Sequence, residues 1–582
     1  MVFLFAAILV VWTYVLLFKR AFHGLDVSDE GMYLLSVHNV AKNAAFHNPF
    51  GDYTGLLYSL SSQKLWLFRI FGFLVLGLSG IYLSTSINKL LSESANSIVK
   101  WCVTFSGLLI CPFYYALGIL TPSYNWLNLV CLCIGVGAIL RIHSVNSSFV
   151  RFRQKHLVLL AAAIWVGSFA KLSTGPGLFL IYLSLAILTR RRTKCLTQEI
   201  SFQFVLLGCF AVLHHVFVSP LNVVAEKISR GQKALEIFDP TYSIDMALNS
   251  FKKGSIDWLS ALVGNSFTWP LLAFALLLVV SRLSQQMIKQ LEKLLYIVVL
   301  LPIASGICSG INGNWSGVVA RYNDQMWAVT QILSLIVLTI LPIAFLFKEA
   351  FLASFLWFGT LLGVPVLYAF GSNNGFIMQI TGATGVIGLA GFCLLASVKK
   401  LQEPLIAVTF LVLAAGALAT TNNSGKAPYR QAPVSEQTVR IEIAPGSGRL
   451  YVDKELASDI NSLRTQVPSR GWLPRTPLLD FTEYSPGIVY ALDAQAPITV
   501  VPTVGGMAGV NALAEWSFDY IASHDKSKTW ADAWLLTPSE SKLINCQFCP
   551  DMDVLSKLGR LFPNDYELVA KTKNYQIYKP RD

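Results

Sequence analysis

The sequence predicts a polytopic α-helical membrane protein in which residues 1–420 cross the bilayer about thirteen times, followed by a soluble α/β domain over residues 421–582. Three observations predict it. Of 582 residues, 54% are hydrophobic and only 13% charged, with a mean hydropathy of +0.55, whereas a soluble chain carries roughly a quarter charged residues. Apolar runs close to the roughly 20 residues needed to span a bilayer recur throughout residues 1–420. After Thr420 the composition turns polar, and short runs of strand and helix character replace the long apolar ones.

Taken in order, residues 2–18 form a first span. No basic residue precedes it and no small-x-small site follows, so it reads as an uncleaved helix and not as a signal peptide. The polar loop 19–64 comes next, with Tyr33, Val37, Val40 and Ala44 at helical spacing opposite Lys42 and Asn43; this predicts a helix lying along the membrane surface. Apolar runs follow at 65–85, 99–118, 122–141, 156–171, 174–189 and 201–219. A polar loop, 220–266, separates them from runs at 267–282, 292–310, 326–347, 350–370, 383–398 and 404–420. The links carrying Arg141/Arg151/Arg153/Lys155, Arg190/Arg191/Arg192/Lys194, Arg282/Lys289/Lys293 and Lys399/Lys400 read as cytoplasmic, and Lys19 and Arg20 are outvoted. Residues 19–64, 220–266 and the C-terminal domain then share the outer face. The net charge of +12 comes mostly from such links, so it is a topology signal and not a nucleic-acid surface. Beyond a polar linker at 421–426, strand-like runs at 449–452, 477–481, 498–501 and 533–536 alternate with helix-like runs at 453–466, 506–522 and 551–560, and 566–578 reads as a hairpin. No repeat is present.

The densest chemistry is Asp26-Val27-Ser28-Asp29-Glu30-Gly31-Met32-Tyr33, directly after the first span. Ser28 can cap a helix whose first turn holds Asp29 and Glu30, a purely structural use. A cap does not require three acids. Asp26 and Glu30 lie at i,i+4 and Asp26 and Asp29 at i,i+3, so clustered carboxylates at the edge of a low-dielectric layer suit a general base or a divalent-cation site.

Asp29-Glu30-Gly31-Met32-Tyr33 resembles the motif of GT-C superfamily membrane glycosyltransferases, in the group of protein O-mannosyltransferases and the aminoarabinose transferase of lipid A: an Asp-Glu pair, a small residue and a Tyr just after the first transmembrane helix. The surface helix, the number of spans and the extracytoplasmic domain extend the resemblance. A Gly/Ala-rich helix end, a Lys and a Gly-Pro are similar to the family at Gly167 to Gly177, though Gly175-Pro176 stands farther from Lys171 than in the family. Lys171 is either a snorkelling lysine at a helix end or the cation that a departing phosphate needs. Arg321-Tyr322 matches a basic residue and Tyr of the family without the Pro that follows there; an Arg grips phosphate bidentately, and its other use is as an interfacial anchor. Tyr33, the pair His214-His215 and the polar loop containing Asn373 and Asn374 are further places for a substrate to bind, with ordinary structural roles as the alternatives.

The resemblance implies a bacterial inner-membrane transferase whose site and C-terminal domain face the periplasm. Its donor would be a sugar on a polyprenyl phosphate, and its acceptor a glycan, lipid or protein. Asp29 is expected to act as base, Glu30 or Asp26 as its support, and Lys171 and Arg321 as the phosphate clamp, with inversion at the anomeric carbon. No cofactor beyond a divalent cation is implied, and membrane lipids are the only other partner. A lipid-linked glycan polymerase or ligase is the neighbouring reading; a transporter or flippase, or a pseudo-enzyme recruiting partners, is the different class. No Walker A motif is present, which excludes an ATP-driven pump, and the Trp-Trp-Asp triplet of the oligosaccharyltransferases is absent. Most of the ten cysteines lie in apolar runs (Cys102, Cys111, Cys131, Cys133, Cys209, Cys308, Cys393) and act as small hydrophobes, while Cys546 and Cys549 are spaced for a local disulfide.

Overall fold

The computed structural model describes residues 2–38, 49–91, 96–144, 153–189, 193–238, 248–249, 252–254, 256, 351–370, 376–395, 402–482, 484–496, 510–524, 530–540, 549 and 551–581. The helices of the apolar part are α1 (Val2–Arg20), α2 (Asp29–His38), α3 (Gly51–Leu60), α4 (Leu65–Asn88), α5 (Ser97–Leu108), α6 (Ile110–Tyr114), α7 (Tyr124–Ser144), α8 (Gln154–Ala170), α9 (Thr174–Leu188), α10 (Thr193–Phe217) and α11 (Leu221–Phe238). They continue as α12 (Phe351–Ala369), α13 (Phe376–Thr381), α14 (Thr384–Leu395) and α15 (Gln402–Lys426). Among the described residues, five helical stretches are long and apolar enough to cross a membrane: Phe3–Arg20, Leu65–Asn88, Ser97–Leu117, Tyr124–Ser144 and Leu196–Phe217. The expected spans at 267–282, 292–310 and 326–347 lie outside the described residues.

The expected span at 99–118 is bent, for a local reason. Pro112 has no N–H with which to bond the carbonyl of Leu108, four residues back. Tyr14 of α1 supplies the missing donor, its hydroxyl reaching Leu108 O at 2.8 Å. The turn then closes at Gly118, whose φ of +87° suits glycine.

The bundle has two chemically distinct ends. At one, Arg141 donates to Ser86 and Thr85 at the end of α4, and Arg153 pairs with Glu199 at 2.7 Å while Tyr182 donates to the other oxygen of Glu199. At the other end lie the acidic stretch, Lys171 and His214, together with the C-terminal residues. The links carrying Arg141 and Arg153 are therefore at the opposite end of the helices from the acidic stretch.

Beyond α15 the chain forms β1 (Val439–Glu442), β2 (Arg449–Val452), α16 (Lys454–Gln466), β3 (Leu478–Asp480), α17 (Pro486–Ala491), α18 (Val510–His524), β4 (Trp534–Pro538), β5 (Tyr566–Lys571) and β6 (Tyr575–Pro580). Strands β1 and β2 pair antiparallel. The other four form a sheet in the order β3-β4-β6-β5, in which β3 and β4 are parallel and the remaining pairs antiparallel. A parallel pair requires a crossover, and α17 and α18 provide it. Alternation along the strands divides the sheet into two faces. Leu478, Trp534 and Leu536 face one core, while Leu479 and Leu535 face another beneath Phe518 of α18. The 498–501 strand lies outside the described residues, and 552–558 is a 3-10 helix. Cys549 is disulfide-bonded, with its partner outside the described residues.

Three expectations change. The surface helix is not on a surface: every residue of α2 from Glu30 to Val37 is buried, because Met32, Leu34 and Leu35 fill the faces that Tyr33 and Val37 leave, and a helix that is apolar all round is a buried one. Val40, Lys42, Asn43 and Ala44 lie outside the described residues. The linker at 421–426 continues α15 as helix. The 220–266 loop begins with α11, whose Arg230 and Glu226 both bond Tyr520 of α18.

The acidic loop and the C-terminal region share one apolar core. Leu25, Leu34, Leu35, Val37, Tyr58, Leu65 and Phe68 cluster with Ile441, Leu450, Ile488 and Val489. Backbone contacts reinforce it: Tyr451 N donates to Phe22 O and Gly24 N to Tyr451 O, both at 2.8 Å, and Gly487 N donates to Val27 O at 2.7 Å. The fit is close enough to require glycine on both sides, since a Cβ on Gly31 would overlap the Gly487 backbone and one on Gly487 would meet Val27 Cα at 2.6 Å.

Arg69 of α4 ties these parts together. Its guanidinium is fully buried and bonds Glu30 through Nε and Nη2 at 2.9–3.1 Å, and also the carbonyls of Ala21, His23 and Gly24. Removing one partner of a buried pair leaves the other charge unmet. Arg69→Met is therefore expected to cost about 3–5 kcal/mol of stability. Thermal unfolding in detergent measures the loss, and adding Glu30→Gln to the same chain recovers part of it.

Candidate functional site

The three acids have separate surroundings. Glu30 is fully buried; besides Arg69 it accepts from the Asp26 N–H at 3.1 Å and from the Thr121 hydroxyl. Asp26 is also fully buried, and accepts from the Ser28 N–H and hydroxyl and from the Glu30 N–H. These bonds close the first turn of α2 as a reciprocal cap, since the donors at a helix start need acceptors. Both carboxylates are thereby used in holding the loop. Asp29 differs: it is half-buried, and its partners come from the distant end of the chain. The Tyr484 hydroxyl donates to Asp29 Oδ1 at 2.8 Å, and the charge of Asp29 also acts on Tyr429. Tyr484 stands on the loop at the carboxyl end of β3, just before α17. Arg430 lies over the rings of both tyrosines, 4.9 Å from Tyr429 and 5.7 Å from Tyr484. Burial, then the charge of Asp29, pushes the Tyr484 phenol well above its usual value, so it stays a donor.

An aromatic wall joins Asp29 to Lys171. Tyr33, one helical turn beyond Asp29, lies edge-on to Tyr124 and Phe50 at 6.1 and 5.9 Å. The Lys171 ammonium lies 5.9 Å from the Tyr124 ring centre and 5.3 Å from that of Tyr368. It donates to Tyr368 O at 2.6 Å, at the carbonyl end of α12. Lys171 is buried, and no carboxylate pairs with it among the described residues. A buried cation without a counter-charge is an electrostatic demand that an anion would meet.

The structure thus brings Asp29, Glu30, Asp26, Tyr33 and Lys171 into one region. His214 lies beside it, with Tyr53 OH and its Nδ1 2.9 Å apart and its ring stacked on Phe169 at 4.6 Å. His215 turns away: its Nδ1 accepts from the Leu221 N–H at 3.2 Å, at the start of α11. Arg321, Tyr322, Asn373 and Asn374 lie outside the described residues. Among the described residues no group of three or more His, Cys, Asp or Glu side chains converges as metal ligands. Sequence reasoning missed Arg69, Thr121, Tyr429 and Tyr484. Of these only Arg69 carried a signal, as an arginine inside an apolar run.

Compared with known proteins, the chain matches no family model and no curated protein.

Burial, and after it the charge of Asp29, pushes Asp26 up from its ordinary 3.8 to about 7. The fold therefore favours its neutral form, so this contribution to stability is full below the unfolded value and is lost as pH rises toward 7. Asp26→Asn keeps the cap and removes the titration. Melting temperatures of the two proteins are expected to diverge in favour of the variant between about pH 4 and pH 8; a constant difference across that range would contradict the assignment.

Proposed function

We propose that the chain is a GT-C-type glycosyltransferase of about thirteen spans, moving a sugar from a polyprenyl-phosphate donor to a glycan, lipid or protein acceptor. Its place is the bacterial inner membrane, with Asp29 and the C-terminal domain facing the periplasm. The observation that carries this reading is the division among the carboxylates. Two are consumed by the fold, and the third is left half-open, held by Tyr484, on the same aromatic wall as Lys171, a buried cation with no paired carboxylate among the described residues.

Asp29 takes the proton from an acceptor hydroxyl as that oxygen bonds to the anomeric carbon. The bond from that carbon to the phosphate oxygen breaks on the opposite side, so the centre inverts. The electron pair leaves with the polyprenyl phosphate, whose charge Lys171 meets, and Arg321 by its motif. Tyr484 orients the Asp29 carboxylate, and Glu30, locked by Arg69, fixes the turn that presents it. A lipid-linked glycan polymerase or ligase would use the same groups on a diphosphate donor. Among the described residues, the acids of the motif lie at one end of the bundle and the buried Arg153–Glu199 pair at the other, which weighs against a flippase or ion-coupled transporter, where charge is expected near mid-depth.

Mass spectrometry of lipid co-purifying with the protein is expected to find a polyprenyl phosphate sugar. With that donor, Asp29→Asn is expected to reduce transfer by about 10²–10⁴-fold while donor binding is retained; near wild-type turnover would rule Asp29 out as the base. Tyr484→Phe, which removes one donor to the carboxylate, is expected to lower kcat by about tenfold with little change in KM.

A further inference from the structure

Beside the site lies a second polar cluster that the transfer step does not use. Asp52 and Tyr53 come from α3, His214 from the end of α10 and Lys227 from α11. Asp52, His214 and Lys227 are 4%, 2% and 7% exposed. Lys227 Nζ pairs with Asp52 Oδ1 at 3.2 Å, and Tyr53 OH engages His214 Nδ1 at 2.9 Å. One atom of each group remains without a partner among the described residues: Asp52 Oδ2 and His214 Nε2. Asp52 is the residue before Tyr53 on α3, so the Tyr53–His214 contact places the two groups side by side.

Two unmet buried polar atoms in one place are costly, at about 1–3 kcal/mol each, and a fold retains them where something else supplies the bonds. Their chemistry narrows what that is. Ionised Asp52 can only accept. His214 Nε2 donates in one tautomer and accepts in the other. Hydroxyls both donate and accept, and so answer Asp52 Oδ2 and His214 Nε2 in either. Lys227 already neutralises Asp52, so the cluster has no net charge to attract an anion or a cation. Phe169, stacked on His214 at 4.6 Å, and Trp165, edge-on at 6.0 Å, add apolar ring faces of the kind that cover the C–H surface of a sugar.

We propose that Asp52 and His214 form a binding subsite for the hydroxyls of an uncharged sugar, with Phe169 and Trp165 as its apolar wall. The subsite adjoins the site described above, since Tyr53 packs against Phe169 at 5.3 Å and Phe169 stands two residues before Lys171. Its identity as the seat of the transferred sugar or the acceptor glycan rests on the glycosyltransferase reading; the binding itself does not.

The test uses the full chain in nanodiscs and saturation-transfer NMR with methyl glycosides of glucose, mannose, galactose and arabinose. At least one glycoside is expected to bind the wild type. Asp52→Ala, and His214→Phe, which keeps the stack on Phe169, are each expected to weaken that binding at least about tenfold. Lys227→Met leaves the Asp52 charge buried and unmet and is expected to lower the melting temperature, so loss of binding is scored in variants whose melting temperature stays within a few degrees of the wild type. Binding by none of the glycosides, or unchanged binding in both site variants, would overturn the proposal, as would loss of binding only in proportion to loss of folded protein, which makes the cluster a structural latch. If Asp52→Ala does not fold, His214→Phe carries the test. Asp29→Asn separates the two readings: glycoside binding with undiminished transfer in that variant sinks the transferase mechanism alone, and Asp29-dependent transfer without glycoside binding sinks the subsite alone.

Discussion

One guanidinium does the work on which the rest of the arrangement depends. The chain leaves α1 with unpaired carbonyls, turns sharply through residues 21–28 and starts α2, all where little water can reach. Arg69 meets both needs of that turn. It takes three carbonyls on one side and a carboxylate on the other, a combination that the planar fork of an arginine can make and a lysine cannot. The positions of α1, α2 and α4 become mutually fixed. Asp29 inherits its position from this, being covalently next to the residue that Arg69 holds.

The division among the acids follows. A carboxylate that is fully bonded is a poor partner for anything that arrives later, and Asp26 and Glu30 are in that condition. Asp29 is spared because the loop is already secured. Its immediate contact comes instead from Tyr484, 455 positions along the chain. The site is therefore composite. The apolar bundle supplies the acid, Tyr33 and Lys171, while the C-terminal part supplies the hydroxyl that aims the acid and the core on which its helix rests.

How much of this could be read in advance depends on the range over which each signal acts. Apolar runs such as 65–85 and 122–141 are legible because bilayer thickness sets a length that one dimension records. Strand β2 is legible because its alternation with a period of two is local, and β3 and β4 because short apolar runs mark strands buried on both faces. The acidic stretch is conspicuous by its density. What distinguishes its members is not local: the partner of Glu30 lies 39 residues away and that of Asp29 lies 455. No pattern near Asp26, Asp29 or Glu30 states which of them the fold consumes. Helix α2 was misplaced on a surface because Tyr33 and Val37 alone suggest a single apolar face, whereas Met32, Leu34 and Leu35 complete the circumference. Helix α11 reads as loop because its polarity is mixed: Lys227 and Arg230 turn to Asp52 and Tyr520, while Ser229, Lys233 and Glu236 remain exposed.

The contact of Gly31 with Gly487 has a consequence for biosynthesis. A ribosome makes Gly487 more than 400 residues after α2, so the helix bearing Asp29 waits through that interval without the surface it packs on. During that interval Arg69 can already hold Glu30, since both belong to the first part of the chain made. The scaffold of the site can therefore form early, while the aiming of Asp29 by Tyr484 cannot exist before residue 484 has been synthesised. A product ending short of Tyr484 would possess the acid without its alignment, so the order of synthesis is itself what arms it.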